Sequence, residues 1–366
     1  MIIAGEASGD LHGAGVVREL KKLNPSIDVF GVGGEKMKRE GMNVVYHVNE
    51  LGFMGFLEVI KHLPFIKVME HTLEQIVKFK KPEVLVLIDY PGFNLRFARK
   101  VRHYGMKIVY YISPQVWAWH RSRVRKMRDL VDKMLVVFPF EADFYEKENI
   151  PVEFVGHPLL EVIETHFDEK NFRKRYGFDP KKKLLGLIPG SRRQEIEHIF
   201  PAMLRAARSV AEEEEMEIAV AVAPTLEEQY FRSMYNLNGV HLVKGATYDV
   251  MKFSSCAVVT SGTATLETAC FGTPMIVVYR TSWLTYLIGR LLVRVHNIGL
   301  VNIVAEKQIV PELIQRRLTA GSLAREIRRI VTDENRTMRA ELGELKKKLG
   351  PSGASKRVAK RIVELA

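Results

Sequence analysis

The chain is poor in cysteine. Cys256 and Cys270 are the only two in 366 residues, and each lies in or beside an apolar stretch. They form no C-x-x-C spacing and have no histidine pattern nearby. A disulfide or zinc framework is therefore excluded, and a reduced, cytosolic compartment fits. Clustered Asp and His ligands are also missing, so no metal and no cofactor is expected. No apolar run approaches the ~20 residues that span a bilayer. No secretory signal is expected, because Gly5, Glu6 and Asp10 interrupt any apolar h-region. The glycine-rich start, Gly5 to Asp10, is neither G-x-G-x-x-G nor a loop followed by a Walker lysine. Short-period repeats and low-complexity segments are absent as well.

What is present suits two domains. The length is too great for one typical domain, and 47% hydrophobic with 27% charged residues supplies two cores. Lys and Arg number 55 against 43 Asp and Glu, a formal charge of +12. The excess gathers late, in residues 315–366. A cationic protein favours anionic partners, either nucleic acid or an acidic membrane surface. No recognised nucleic-acid motif occurs, so nucleic acid is not the expected partner.

The chain is organised around Thr260 to Glu267. An apolar strand, Ala257 to Val259, runs into the small-residue turn Ser261-Gly262-Thr263, and a short helix follows. Such a turn offers backbone N–H groups at a helix start, where an anion is stabilised. Glu267, one turn on, has a carboxylate suited to accept from a diol. Phosphate at the helix start and a diol one turn along describe half a nucleotide; the alternative is an ordinary βα turn with a solvated Glu. The same strand–turn–helix logic recurs at Leu184 to Glu195, with Arg192 and Arg193 at the turn as forked donors for phosphate.

The first half begins with a strand at Met1 to Ala4, then the loop Glu6-Ala7-Ser8-Gly9-Asp10, a helix, and a strand at Val29 to Val32. That is the opening of a doubly wound α/β domain. Val84 to Ile88 reads as a buried strand ending at Asp89. Ligands of open α/β sheets bind beyond strand carboxyl ends, so Asp89 is a candidate catalytic carboxylate. The alternative is that it only starts an Asx turn. The polar stretch 161–182 reads as the linker into the second half. Two apolar, basic segments stand apart. One spans residues 51–69, with Phe53, Met54, Phe56 and Phe65 beside Lys61 and Lys67. The other is Trp283 to Val295, with Leu287, and with Arg290 and Arg294 four residues apart. Each is either core or a surface that meets lipid, with the basic groups at headgroup level.

Taken together, several motifs resemble the lipid-A-disaccharide synthase family. They are Gly5 to Asp10; Asp89 with Pro91, Phe93 and Asn94; Ser113-Pro114-Gln115-Val116-Trp117-Ala118-Trp119; and Phe138-Pro139-Phe140-Glu141. Further on come Phe154-Val155-Gly156-His157, Pro189-Gly190-Ser191-Arg192, Ser261-Gly262-Thr263-Ala264 with Glu267, and Asn302. The resemblance covers nearly the whole chain, and the Ser113 to Trp119 block is its most specific part. Against that family, the first strand looks clipped by a few residues.

The resemblance implies an α/β fold of the GT-B type, with two Rossmann-like domains of parallel sheet facing across a cleft. It implies an acceptor and membrane-facing domain over 1–165 and a UDP-sugar-binding domain over 166–350. A last helix in 351–366 would cross back toward the first. It implies transfer from UDP-2,3-diacylglucosamine to 2,3-diacylglucosamine 1-phosphate (lipid X), giving a β-1′,6-linked disaccharide and UDP without a metal. The place of work would be the inner face of an anionic inner membrane, with peripheral attachment and a possible homodimer by C-terminal exchange. Inversion needs a general base, for which Asp89 is the first choice, with Glu6 and Asp10 in reserve and Ser8 and Gly9 in the same acceptor loop. Arg192, Ser261, Gly262 and Thr263 would hold the diphosphate and Glu267 the ribose. Asn302 matches a family position near the nucleotide, where its amide would read uracil or diphosphate, and Glu195 would give support. Another GT-B UDP-sugar enzyme, such as a sugar-nucleotide 2-epimerase, is the alternative.

Overall fold

The computed structural model describes residues 1–51, 63–114, 124, 127–281 and 297–366. Phe53, Met54, Phe56, Trp283, Leu287, Arg290 and Arg294 lie outside the described residues, as does most of the Ser113 to Trp119 block. The chain divides into two compact units. One holds Met1–Glu161 with Leu349–Ala366, the other Val162–Lys348.

The first unit runs β1 (Ile2–Ala4), α1 (Ala7–Leu23), β2 (Phe30–Gly33), α2 (Glu35–Arg39), β3 (Asn43–His47) and α3 (Leu63–Lys80). It continues β4 (Val84–Ile88), α4 (Pro91–Val101), β5 (Lys107–Tyr111), β6 (Lys133–Val136), α5 (Pro139–Lys147) and β7 (Val152–Phe154). All seven strands are parallel, in the order β3-β2-β1-β4-β5-β6-β7. Val84 to Ile88 is buried at every position, as a strand covered on both faces requires. On α3, Ile66, Met69, Leu73 and Val77 make one buried stripe.

Phe65, a candidate for meeting lipid or for the core, packs partly buried onto this core and meets Tyr46 edge-to-face at 6.1 Å. The stripe sets the helix's rotation and turns Phe65 inward at its edge. The apolar side chains left exposed on α3 are Leu63, Val68 and Phe79. Among the described residues no helix is long and apolar enough to cross a membrane.

The second unit runs α6 (Glu169–Tyr176), β8 (Lys183–Ile188), α7 (Arg193–Glu213), β9 (Met216–Val222), α8 (Glu228–Met234), β10 (Val240–Lys244) and α9 (Thr247–Phe253). Then come β11 (Cys256–Thr260), α10 (Thr263–Cys270), β12 (Met275–Tyr279), α11 (Leu300–Ala305), β13 (Glu312–Ile314), α12 (Ala320–Arg329) and α13 (Asn335–Lys348). Its six strands are again all parallel, ordered β10-β9-β8-β11-β12-β13. Both units are therefore Rossmann-like.

The stretch expected as linker is folded. Asp168 caps α6, Phe172 is fully buried and stacks near Phe178 and Phe253, and Asp249 accepts the N–H groups of His166 and Phe167. Charged neighbours on the solvent side of α6 mask this apolar anchor in the sequence. The last helix, α14 (Ala354–Leu365), belongs to the first unit and packs on α1. It is tied there by Ser355 N to Glu161 (2.9 Å), Arg357 Nε to the carbonyl of Val155 (2.8 Å) and Arg361 Nε to Glu153 (2.7 Å).

Candidate active site

In each sheet the strand order reverses once, between β1 and β4 and between β8 and β11. Loops leaving the two strands at such a point diverge to opposite faces and open a crevice, where doubly wound proteins bind ligands. The four loops leaving these strands and the helix starts that follow them carry most of the residues singled out in the sequence; Ser8, Gly9 and Asp10, expected in a loop, lie in the first turn of α1, and Asn302 lies apart in α11.

In the first unit, β1 leads into Gly5 and Glu6, and β4 into Asp89 and Tyr90. Asp89 and Tyr90 both have φ of +47°, a left-handed conformation that non-glycine residues rarely take. The fold holds them there. The Asp89 carbonyl accepts from the Tyr110 hydroxyl (2.6 Å) and from Asn94 Nδ2 (2.7 Å), while the Asp89 N–H donates to the Tyr111 carbonyl (3.1 Å). Asn94 is fully buried and also donates to the Ile88 carbonyl. With the main chain pinned, the Asp89 carboxylate is left without a side-chain partner among the described residues, and two residues on stands Pro91, which has no N–H to donate, so no Asx turn closes. Burial pushes its pKa up to about 6, the nearby charge of Glu6 adds to this, and the Tyr90 N–H opposes it.

The Tyr90 ring lies on Gly5, where a Cβ would fall 2.2 Å from Cγ and Cδ1 of the ring. Gly5→Ala must therefore displace Tyr90, next to Asp89. A stability loss of about 1–3 kcal/mol is expected, as for overpacking elsewhere, together with a loss of activity. Urea unfolding and a turnover assay on the same preparation check both.

Asp10, a reserve base in the sequence reading, is committed elsewhere. Its buried carboxylate accepts the N–H groups of Gly34 (2.7 Å), Lys36 (3.2 Å) and Met37 (3.0 Å), and so caps α2. Glu6 and Ser8 are exposed and Gly9 is buried. Two histidines that sequence reasoning gave no role lie close together, His12 and His157, with ring centres 6.5 Å apart. Burial lowers His12 to about 4, helped by Lys36, and lowers His157 to about 3, helped by His12. His157 Nδ1 accepts the Leu159 N–H (3.1 Å), which places the proton of the neutral ring on Nε2. Their signal in the sequence is faint, since a lone His in a helix and a Gly-His-Pro turn each read as packing.

In the second unit, β8 leads to Ser191 and Arg192, and β11 to Ser261, Gly262 and Thr263. Gly262 has φ of +150° and open space around its Cα, so backbone can approach a ligand there. In the first turn of α10 the Thr265 N–H donates to the Gly262 carbonyl (3.1 Å), which leaves those of Thr263 and Ala264 as the orphan donors of the helix start among the described residues. Ser261 is held at both ends: its N–H donates to the Val278 carbonyl (2.9 Å) and its Oγ to the Ile298 carbonyl (3.0 Å). Glu267 is half-buried with Tyr248 Oη 3.5 Å from Oε1. Burial pushes its pKa up to about 6, and Tyr248 pulls it down. Arg192 is exposed and pairs loosely with Glu195 (3.2 Å). A surface pair of this kind is weak and is readily exchanged for a phosphate.

Asn302 does not have an amide free to read a ligand, contrary to expectation. Its Oδ1 accepts from Ile309 N (2.8 Å) and Val310 N (3.0 Å), and its Nδ2 donates to the Val310 carbonyl (2.9 Å) and to Glu312 Oε1 (2.8 Å). All four hydrogen-bonding positions of the amide are filled, which makes it the scaffold of residues 299–312. Among the described residues no group of three or more Asp, Glu, His or Cys side chains is placed to hold a metal ion.

The family model for lipid-A-disaccharide synthetase matches residues 1–364. The chain belongs to the lipid-A-disaccharide synthase family. It is thus a glycosyltransferase of lipid A biosynthesis by family. A curated lipid-A-disaccharide synthase of Geobacter sulfurreducens is 42% identical, over 100% of this chain and 96% of that one. Solved structures share the fold at low identity. The UDP-GlcNAc 2-epimerase of Neisseria meningitidis bound to UDP-GlcNAc has a TM-score of 0.66 at 13% identity, covering 99% of both chains. CalG4, the calicheamicin glycosyltransferase, has a TM-score of 0.65 at 14% identity, covering 100% of this chain and 96% of that one. Within the synthase family frame, Glu6 and Asp89 stand together at one switch point. Arg192, Ser261, Gly262 and Thr263 stand at the other, with Glu267 one turn along α10. Sequence reasoning missed Tyr90, Tyr110, Tyr248 and Glu312, which shape these points without a motif of their own.

Proposed function

We propose that this chain joins UDP-2,3-diacylglucosamine to 2,3-diacylglucosamine 1-phosphate with inversion, releasing UDP. The observation that carries the reading is the Asp89 carboxylate. It stands at a switch point, half-buried, without a side-chain partner among the described residues, in a member of the lipid-A-disaccharide synthase family. Inversion at the anomeric carbon takes one in-line displacement. The acceptor's primary hydroxyl attacks as its proton passes to Asp89, and the bond to the UDP oxygen breaks. A carboxylate with a pKa near 6 is ionised at neutral pH, yet more basic than an ordinary one. The charge growing on UDP is met by Arg192, by the free N–H groups that follow Ser261, and by the positive end of α10. Glu267 accepts from the ribose hydroxyls. Substrates of this kind live in a bilayer, so the working place in this reading is an anionic membrane surface, reached peripherally.

Supplying both lipid substrates and detecting disaccharide and UDP tests the reaction. The nucleotide assignment has its own test. Glu267→Ala is expected to weaken UDP binding by about 1–3 kcal/mol, the usual cost of losing a charged hydrogen-bond partner. Calorimetry that finds parental UDP affinity in the folded variant would sink the ribose assignment.

A further inference from the structure

Glu312 is buried on β13, and three donors converge on its two oxygens. Ile298 N reaches Oε2 at 2.9 Å, while Gly299 N (3.0 Å) and Asn302 Nδ2 (2.8 Å) reach Oε1. Gly299 N and the Ile298 carbonyl are the two ends of one peptide group. The carbonyl end of that group accepts from Ser261 Oγ at 3.0 Å. A single peptide is therefore clamped between the Glu312 carboxylate and the Ser261 hydroxyl.

We propose that Glu312 is a positioning residue for the nucleotide turn, acting on Ser261 through the Ile298–Gly299 peptide; this rests on the nucleotide reading above. Three consequences follow from the geometry. A carboxylate on the N–H end polarises the peptide and makes its oxygen a better acceptor. The Ser261 hydroxyl proton is thereby committed to Ile298, so Ser261 Oγ turns lone pairs, not a proton, toward a ligand. The Ser261 N–H is committed to Val278, so donors to a diphosphate begin at Gly262. Glu312 thus fixes where the row of free N–H groups starts and which way it points, without touching the nucleotide. The approach is close. A Cβ on Gly299 would sit 3.1 Å from Glu312 Oε1 and 3.2 Å from Val277 Cγ2.

UDP calorimetry on Glu312→Gln, Ser261→Ala and the double variant tests this, with Glu267→Ala as control. Glu312→Gln keeps shape but sets an amide NH2 against an N–H that now donates to the carboxylate. UDP is expected to bind about tenfold more weakly in the folded protein, of the order of one lost charge-assisted hydrogen bond. Because both side chains act through one peptide, the double variant should be little worse than either single one, a non-additive cycle. A purely structural Glu312 would lower the melting temperature and leave the UDP Kd unchanged, and that result, or additive losses, overturns the proposal. Should Glu312→Gln not fold, Gly299→Ala displaces the same carboxylate, and the same cycle with Ser261→Ala is read. Parental UDP affinity in Glu267→Ala overturns the nucleotide reading and this proposal with it. A weakened Glu267→Ala beside an unaffected Glu312→Gln overturns the positioning alone.

Discussion

Asp89→Ala is expected to lower kcat by about 10²–10⁴-fold, the usual contribution of a positioned general base, and to leave UDP affinity at the parental value, because the proposed nucleotide turn lies on the second unit. Asp89→Asn should be almost as inactive, since an amide keeps the shape but does not take the proton. The pH profile should follow the same group. Asp89 is pushed up to about 6, so kcat should fall as pH drops through that value and the carboxylate protonates. Stability moves the other way. A carboxyl group whose folded pKa lies above its unfolded value contributes stability that is present below about pH 4 and lost as pH rises through about 6. Asp89→Asn should therefore melt higher than the parent at pH 8, with the difference closing at pH 4. Turnover and melting curves at those two pH values decide the matter. An Asp89→Asn enzyme with parental kcat would move the base to Glu6, because Asp10 is occupied in capping α2.

The second large effect is expected at Asn302. Replacing it by Leu leaves the N–H groups of Ile309 and Val310 and the carbonyl of Val310 without their partner, and removes one donor from Glu312. Buried groups deprived of a partner cost about 1–3 kcal/mol each. A total loss of roughly 3–5 kcal/mol follows once partial relaxation is allowed for, and the melting temperature should fall on the order of 10 °C. Thermal unfolding of the variant beside the parent measures it. A normal melting temperature combined with lost UDP affinity would show that the amide reads the ligand after all.

Much of the fold was legible. Runs such as Val84 to Ile88 and Ala257 to Val259 are apolar throughout because parallel strands are buried on both faces, and the turns after them are small or glycine-rich. The switch-point carboxylate Asp89 and the turn at Ser261 to Thr263 stand out for the same reason, polar residues directly after an apolar run. What stayed hidden depends on distant pairing. Asn302 and Glu312 are ten residues apart in the chain, and nothing local distinguishes a ligand-reading amide from one saturated by its own loop. Tyr110 reaches the Asp89 carbonyl from a neighbouring strand, and in sequence it is one more aromatic in a buried run. Phe65 stayed open between core and lipid because an apolar segment with lysines has two solutions. The choice between them was made by the stripe from Ile66 to Val77, which rotates the helix.

The return of the chain bears on how it folds as it is made. The second unit is continuous in sequence, whereas the first needs α14 to complete it. Synthesis proceeds at about 5–20 residues per second, and domains tend to fold as they emerge. Residues 162–348 can therefore reach their final form while the first unit still lacks the helix that covers α1. For roughly 10–40 s at that rate, Glu161, Glu153 and the Val155 carbonyl wait for Ser355, Arg361 and Arg357. During that interval an apolar face of α1 stands uncovered, and the nascent chain is open to chaperones and to mispairing with other copies.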